Sequence, residues 1–317
     1  MRPRAKLATK VRLFEDYLTH SVSRSYLART RGMSRSRLWR IFQPLCSVCI
    51  QPQPRDTPRA LQFDGFYVSY PSIKRNRHLP RAKRDTCILL WALDDDTNKP
   101  VYWKFYDQLE NIGIWQDFIY SMREAGLRPG YAIHDGHPGI TAAIDRYLPE
   151  TRQQRCLVHI MGGAIKDLGV APRTAIAKDL KHIIYRLLKV QTFDDMIDWE
   201  SDWASFCDIH NNKLMQLRKG AAYDCGIRVP GALLETFTIL GNAYKKGTLF
   251  TYLTCPQPIS RTTNTIESNN GNLRELLQRH RGLTIVQRTY LISWYLGFKQ
   301  LTKEQLSAQV SHTLFDT

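Results

Sequence analysis

The sequence has little of what marks secreted, membrane-spanning or disordered proteins. Its seven cysteines form an odd and scattered set, which argues against a secreted disulfide framework. Glycine and proline are few (18 and 15), and 43% of the 317 residues are apolar, enough for a buried core. No apolar run approaches the roughly 20 residues needed to span a bilayer, and the basic start MRPRAKLATK lacks a signal-peptide core. We therefore expect a cytoplasmic globular protein with no membrane partner.

Acidic residues are also scarce beside basic ones. The chain has 45 Lys and Arg against 29 Asp and Glu, a formal charge of +16. This excess favours a polyanionic partner, although a basic surface without a specific partner would give the same total.

The first fifty residues predict a small helical domain. In SYLARTRGMSRSRLWRIF the apolar spacing, the glycine and the Ser34 cap are typical of a helix-turn-helix. The second helix would expose residues suited to phosphates and guanine edges: Arg35, Ser36, Arg37, Trp39 and Arg40. Any short three-helix module could show this pattern. Cys46 and Cys49 have zinc-like spacing without a second ligand pair nearby, and we interpret them as structural.

The remaining chain predicts an interrupted α/β fold. Residues 51–58 are rich in proline and polar groups and are interpreted as a linker. From residue 59 to 160 the predicted order is β-β-β-α-β-α-β, with QRCLVHI as the last strand, which suits a mixed sheet with helices on its faces. Residues 161–255 predict an all-helical insertion, and residues 256–317 return to amphipathic helices.

Three acids on separate elements are candidates for a metal site. Asp64 lies in the first strand among apolar neighbours, where a carboxylate needs pairing or a metal. Asp135 ends the fourth strand, a usual ligand position in α/β sheets, and Glu267 lies in TTNTIESNNGNLRE. Hard oxygen ligands spread in this way suit a pair of Mg²⁺ ions, or Mn²⁺ in their place, and such a pair can promote in-line displacement at phosphorus. Each acid also has an ordinary reading, as a bulge cap, a turn residue or part of a solvated helix face.

Taken together, these motifs resemble a known family. LQFDGFY, AIHDGHPG, QRCLVHI, a long helical stretch and RTTNTIESNNGNLR, in that order, resemble the mutator-like DDE transposases, including bacterial insertion-sequence transposases with an amino-terminal helix-turn-helix. The resemblance covers nearly the whole chain. It implies a ribonuclease H-like catalytic domain with Asp64, Asp135 and Glu267 as catalytic metal ligands, Glu267 being on a late helix after the insertion.

Further residues have candidate roles beside that site. Cys156 and His159 match the family's C-x-x-H signature, and we predict a structural or positioning role, since zinc would need two more ligands. Trp199 and Trp203, four apart on a helix, could stack on unpaired bases, although core packing explains them as well. Basic and amide residues of a loop after the first strand and of the segment around Glu267 could contact DNA: Lys74, Arg75, Arg77, Arg81, Lys83, Arg84, Arg261, Asn264, Arg274 and Arg279.

The expected function follows from the resemblance. The chain would be an insertion-sequence transposase that binds the terminal inverted repeats of its element, cuts DNA and joins the freed 3′-hydroxyl to target DNA. Its partners would be double-stranded DNA and at least a second copy of itself, because two ends are synapsed, and it would be associated with the nucleoid. A transposase-derived DNA-binding regulator without catalysis and a nuclease or resolvase of the same fold are the alternatives.

Overall fold

A computed structural model of the chain describes residues 3–19, 22–54, 56–69, 86–280 and 283–315. It is an α/β structure in which helices cover both faces of one mixed sheet. Among the helices described, none combines the length and the apolar character needed to cross a lipid bilayer.

The central sheet has five strands: β1 (Ala60–Ser69), β2 (Thr86–Asp94), β3 (Pro100–Tyr106), β4 (Tyr131–His134) and β5 (Arg152–Arg155). Their order in the sheet is β3-β2-β1-β4-β5. The pairs β1–β2 and β2–β3 are antiparallel, whereas β4 pairs parallel with β1 and β5 pairs parallel with β4. The predicted mixed sheet is confirmed. Helix α4 (Ile112–Glu124) connects β3 with β4, and α5 (Pro138–Tyr147) connects β4 with β5.

Alternation along β1 divides the side chains between two cores. Leu61 and Phe63 join the apolar cluster under α4 and α5, whereas Phe66 and Val68 join the cluster on the opposite face. Asp64 falls in the second set, because positions two apart on a strand share a face. A carboxylate therefore occupies a sheet position that an apolar side chain would ordinarily fill.

The segment after β5 departs from the prediction in two ways. The run CLVHI is not a strand, because β5 ends at Arg155 and Cys156 is the N-cap residue of the next helix. The insertion is also not all-helical, since a two-stranded hairpin, β6 (Tyr223–Asp224) with β7 (Ile227–Arg228), stands between its last two helices. These helices share a hydrophobic cluster of their own: α6 (Leu157–Leu168), α7 (Ala175–Leu187), α8 (Phe193–Arg218) and α9 (Ala232–Lys245).

The first and last parts of the chain pack into one core. The amino-terminal helices are α1 (Pro3–Thr19), α2 (Arg24–Thr30) and α3 (Arg35–Phe42); the carboxyl-terminal helices are α10 (Asn264–Arg279), α11 (Ile285–Gln300) and α12 (Lys303–Phe315). Phe14 of α1 packs edge-on against Trp294 of α11, with ring centroids 5.3 Å apart. The Trp294 indole donates to the Leu45 carbonyl (2.8 Å) and the Ile50 amide donates to the Ser293 hydroxyl (2.9 Å). The amino-terminal helices thus share their buried apolar residues with the end of the chain and one face of the sheet.

Candidate functional site

Two of the predicted acids come from adjacent parallel strands. The β1–β4 register pairs Gln62 with Ile133, so that Asp64 and Asp135, each two residues further on, lie level with one another. Neighbouring strands are about 4.8 Å apart. The sheet therefore brings these two carboxylates to the same edge, where β4 ends and the chain turns towards α5.

Glu267 reaches this edge because α10 is fastened to β1 at two points. The amide of Ile266 donates to the side-chain carbonyl of buried Gln62 (3.1 Å), and Asn270 Nδ2 donates to Asp64 Oδ2 (2.6 Å). Glu267 lies between these contacts, in the first turn of the helix. The three predicted acids are thus brought together from the first strand, the fourth strand and a late helix.

Asn270 is a site residue that the sequence analysis missed. Its side chain is 3% exposed, accepts from the Trp91 indole (3.2 Å) and holds the Asp64 carboxylate. Helical spacing could have found it, since residues three apart share a helix face. Thr263 was also missed: its buried hydroxyl donates to Glu267 Oε1 (2.6 Å) from one turn earlier.

Burial and like charge make Asp64 hard to ionise. Burial, together with the nearby charges of Asp135 and Glu267, raises its pKa to about 7, against a lowering hydrogen bond from the Gly65 amide (2.8 Å). A carboxyl group in this state gains most from a cation that offsets the repulsion. The donor set, three carboxylates with few other ligands, fits hard divalent ions such as Mg²⁺.

Arg155 supports the turn that carries Asp135. Its Nη1 donates to the Gly136 carbonyl (2.6 Å), and its guanidinium fills the space that a Cβ at residue 136 would need. Gly136 has a φ of +79°, a conformation that favours glycine. Burial lowers the pKa of His134 to about 4, so its neutral Nδ1 accepts from the Gly136 amide (2.9 Å).

Cys156 and His159 lie beside Glu267 at the start of α6, rather than on a strand as predicted. Ligand atoms of these three residues lie within 4.8 Å of one another. A hydrogen bond with Cys156 raises the pKa of His159 to about 9, with added effects of the Glu267 and Asp135 charges. Burial opposes ionisation of the Cys156 thiol, but hydrogen bonds from His159 and Thr263 bring its pKa below the ordinary value.

This second group competes with the three-acid group for Glu267. A thiol and an imidazole are ligands that zinc takes, while Mg²⁺ prefers oxygen. His159 Nδ1 lies 3.6 Å from Glu267 Oε1, close enough to hold that carboxylate electrostatically. A metal held by Cys156, His159 and Glu267, or the contact of His159 with Glu267 alone, would each position the Glu267 carboxylate. The positioning role of Cys156 and His159 stays a prediction.

The predicted DNA-binding residues have different surroundings. Arg35, Ser36, Arg37 and Arg40 are exposed on α3, Trp39 is half-buried beside them, and the Ser34 hydroxyl caps the helix as predicted by accepting from the Arg37 amide (3.1 Å). Three predicted residues lie on α10, all of them exposed: Asn264, Arg274 and Arg279. The loop residues lie outside the described part of the chain: Lys74, Arg75, Arg77, Arg81, Lys83 and Arg84.

Arg261 has a structural contact of its own. Its Nη1 donates to the carbonyl of Val190, which also accepts from the Tyr252 hydroxyl. At least one edge of this guanidinium therefore ties the segment before α10 to the insertion.

The base-stacking role considered for the two tryptophans is wrong. Trp199 has no exposed surface and Trp203 is 7% exposed, and the two rings stack on each other at 5.9 Å. The Trp199 indole donates to the Ile183 carbonyl (2.9 Å). Both side chains belong to the core of the insertion. A nucleic-acid base could therefore reach neither ring unless this core were unpacked.

The chain is similar to known transposases. Residues 72–216 match the family described as "Transposase, Mutator family". The chain is 30% identical over 95 residues to the transposase for insertion sequence element IS1201 of Lactobacillus helveticus, covering 30% of this chain and 26% of that protein. It is 27% identical over 96 residues to the transposase for insertion sequence element ISRM5 of Rhizobium meliloti (strain 1021), covering 30% and 24%. The chain thus spans about a quarter of the length of these curated relatives.

Solved structures give more distant matches. The Drosophila P element transposase strand transfer complex aligns with 96% of this chain and 93% of its own, at 12% identity and a TM-score of 0.44. The Mos1 strand transfer complex aligns with 62% and 69%, at 14% identity and a TM-score of 0.21. The sequence matches agree with the resemblance predicted from the motifs: the chain is similar to mutator-like transposases.

Proposed function

We propose that the protein is an insertion-sequence DDE transposase with a ribonuclease H-like catalytic core. The sheet order β3-β2-β1-β4-β5 supports the proposal, because it places β1 and β4 side by side and parallel and so brings Asp64 and Asp135 together. The observation that carries the proposal is the meeting of Asp64, Asp135 and Glu267 at one edge of the sheet. Asp64 is half-buried there, and burial together with the two further acids raises its pKa to about 7. A costly arrangement of like charges is typical of a site that binds cations.

Asp64, Asp135 and Glu267 would hold two Mg²⁺ ions, or Mn²⁺ in their place. When bound, such ions activate the attacking oxygen and stabilise the leaving oxygen. The chain's own residues supply the positions: Asn270 fixes the Asp64 carboxylate and the Thr263 hydroxyl fixes the Glu267 carboxylate.

The reaction proposed has two displacements at phosphorus. Water attacks a phosphodiester at the element end and leaves a free 3′-hydroxyl. This hydroxyl then attacks a target phosphodiester, so one P–O bond forms as another breaks and no covalent enzyme intermediate is needed. The exposed α3 face would bind the terminal inverted repeats, and a dimer or larger assembly would hold two ends.

The test uses the full chain with Mg²⁺ and DNA that carries candidate element ends. Joined products support transposition, cleavage without joining indicates a nuclease or resolvase, and binding without either indicates a regulator. Each of Asp64→Ala, Asp135→Ala and Glu267→Ala should abolish cleavage and leave end binding intact. Cleavage by any of these three variants removes that acid from the mechanism.

A further inference from the structure

A cavity of about 390 Å³ lies where the amino-terminal helices meet the end of α10. Its walls include residues from both ends of the sequence: Tyr17, Arg24, Arg35, Trp39, Arg279 and His280. The volume corresponds to roughly a dozen water molecules, enough for a phosphate group and part of its sugar. The cavity lies at the carboxyl end of the helix whose first turn carries Glu267.

Positive charge is concentrated in this cavity, whose described lining includes three arginines and no acidic residue. Among the described residues, no ion pair within 4.0 Å involves Arg24, Arg35 or Arg279. The Arg24 guanidinium lies over the Trp39 ring, 5.1 Å from its centroid, a contact that leaves the edge of the guanidinium free to donate hydrogen bonds.

Two neutral groups in the cavity wall respond to this charge. Tyr17 Oη lies 2.8 Å from His280 Nδ1, and the two rings meet edge-on at 4.9 Å. Burial, together with the charges of Arg279 and Arg24, lowers the pKa of His280 to about 4. The arginines are thus close enough to impose a positive potential on the cavity, which an anion would offset.

We propose that this cavity binds a backbone phosphate of DNA, held jointly by Arg24 and Arg35 of the amino-terminal helices and Arg279 of α10. Arginine suits the role because its planar fork pairs with phosphate oxygens through two hydrogen bonds. The identity of the polyanion as DNA rests on the proposed function; the anion site itself rests on the cavity.

The position of the cavity relates it to the three-acid site. Arg279 follows Glu267 by twelve residues, which is about 18 Å along a helix at 1.5 Å per residue. This length corresponds to about five nucleotide steps of duplex DNA at 3.4 Å per step. One DNA segment can therefore contact both ends of α10, so that binding by the amino-terminal helices sets the register of the strand at the acids.

The test measures the salt dependence of binding to a duplex of arbitrary sequence, because a phosphate contact carries no sequence information. In the full chain, Arg24→Ala and Arg279→Ala should each reduce the slope of log K against log salt by about 1. The control is Arg228→Ala, an exposed arginine on the insertion hairpin, which should leave the slope unchanged. Unchanged slopes in both cavity variants, with unchanged circular dichroism, overturn the proposal.

A second measurement separates DNA from a free anion as the source of the phosphate. Calorimetric titration with a dinucleotide carrying one phosphodiester should give binding that the Arg24→Ala/Arg279→Ala double variant loses. Binding of inorganic phosphate alone, with DNA affinity unaffected by the double substitution, overturns the assignment to DNA.

These results are independent of catalysis. If the protein neither cuts nor joins DNA, but the cavity variants have the reduced slope of log K against log salt, the phosphate site is supported and the transposase proposal is wrong. If the protein cuts and joins DNA, but the cavity variants have the same slope as the parent, the transposase proposal is supported and the phosphate site is wrong.

Discussion

Replacing Asp64 by Asn removes a half-buried charge from beside two other acids, so its effect on stability should depend on pH. Asp64 has a pKa of about 7 in the folded chain against an ordinary value of 3.8. The folded chain therefore binds more protons than the unfolded chain between these values, and its stability falls as the pH rises through that window. The Asp64→Asn variant lacks this loss.

The size of the effect follows from the two pKa values. Ionisation of Asp64 costs folding roughly 1.5 kcal/mol at pH 5 and roughly 4 kcal/mol at pH 8. The free energy of unfolding of Asp64→Asn, relative to the parent, should therefore rise by roughly 2.5 kcal/mol between these pH values. An amide has one acceptor where the carboxylate accepts from both Gly65 and Asn270, a loss of about 1–3 kcal/mol that does not change with pH.

The assay is denaturant unfolding of both proteins with chelator present, at pH 5 and pH 8. The control is Asp208→Asn, which removes an exposed acid from α8 and should track the parent at both pH values. Addition of Mg²⁺ at pH 8 should stabilise the parent more than Asp64→Asn. If the difference in the free energy of unfolding between the parent and Asp64→Asn is the same at pH 5 and pH 8, then the pKa of Asp64 is not raised by burial and by the neighbouring acids.

Three further substitutions test other contacts. Gly136→Ala adds a Cβ where the Arg155 guanidinium lies and places a side chain at a positive φ. It should lower the free energy of unfolding by about 2 kcal/mol or more and abolish cleavage. The control is Gly162→Ala, which lies in open space on α6 and should raise the melting temperature slightly. Asn270→Ala should cost about 1–3 kcal/mol in denaturant unfolding and reduce cleavage at least tenfold with DNA affinity unchanged; normal cleavage would show that it does not position the carboxylate. Trp199→Ala should cost about 3–5 kcal/mol, whereas the affinity of the folded variant for single-stranded DNA should equal that of the parent, and a marked loss would restore a role in base binding.

Local patterns were sufficient to predict much of the sheet and of the helices between its strands. The alternation of β1 and the turn between β2 and β3 were readable because side chains two apart share a face and because turns favour Asp, Asn and Pro. The apolar run CLVHI was assigned to a strand because a short apolar run is compatible with either a buried strand or a helix start. The pairing of β5 with β4 ends at Arg155, so the strand stops before Cys156. This pairing joins segments distant in sequence, and the local pattern of CLVHI does not contain it.

Contacts between distant segments could not be predicted from one sequence. Asn270 lies 206 residues from Asp64, and Tyr17 lies 263 residues from His280. The helix-turn-helix spacing predicted α2 and α3 but could not indicate what covers them, because an amphipathic face does not name its partner. The boundary proposed at residues 51–58 therefore stays a prediction, although the apolar cluster runs across it.

The shared core of the amino- and carboxyl-terminal helices has a consequence for synthesis on the ribosome. Phe14 and Phe42 are made well before Trp294, which packs against Phe14 from a position 280 residues further along the chain. During that interval the apolar faces of α1 and α3 remain uncovered, a state that favours aggregation or capture by chaperones. Molecules truncated before α11 would therefore expose the apolar faces of α1 and α3 that α11 covers in the folded protein.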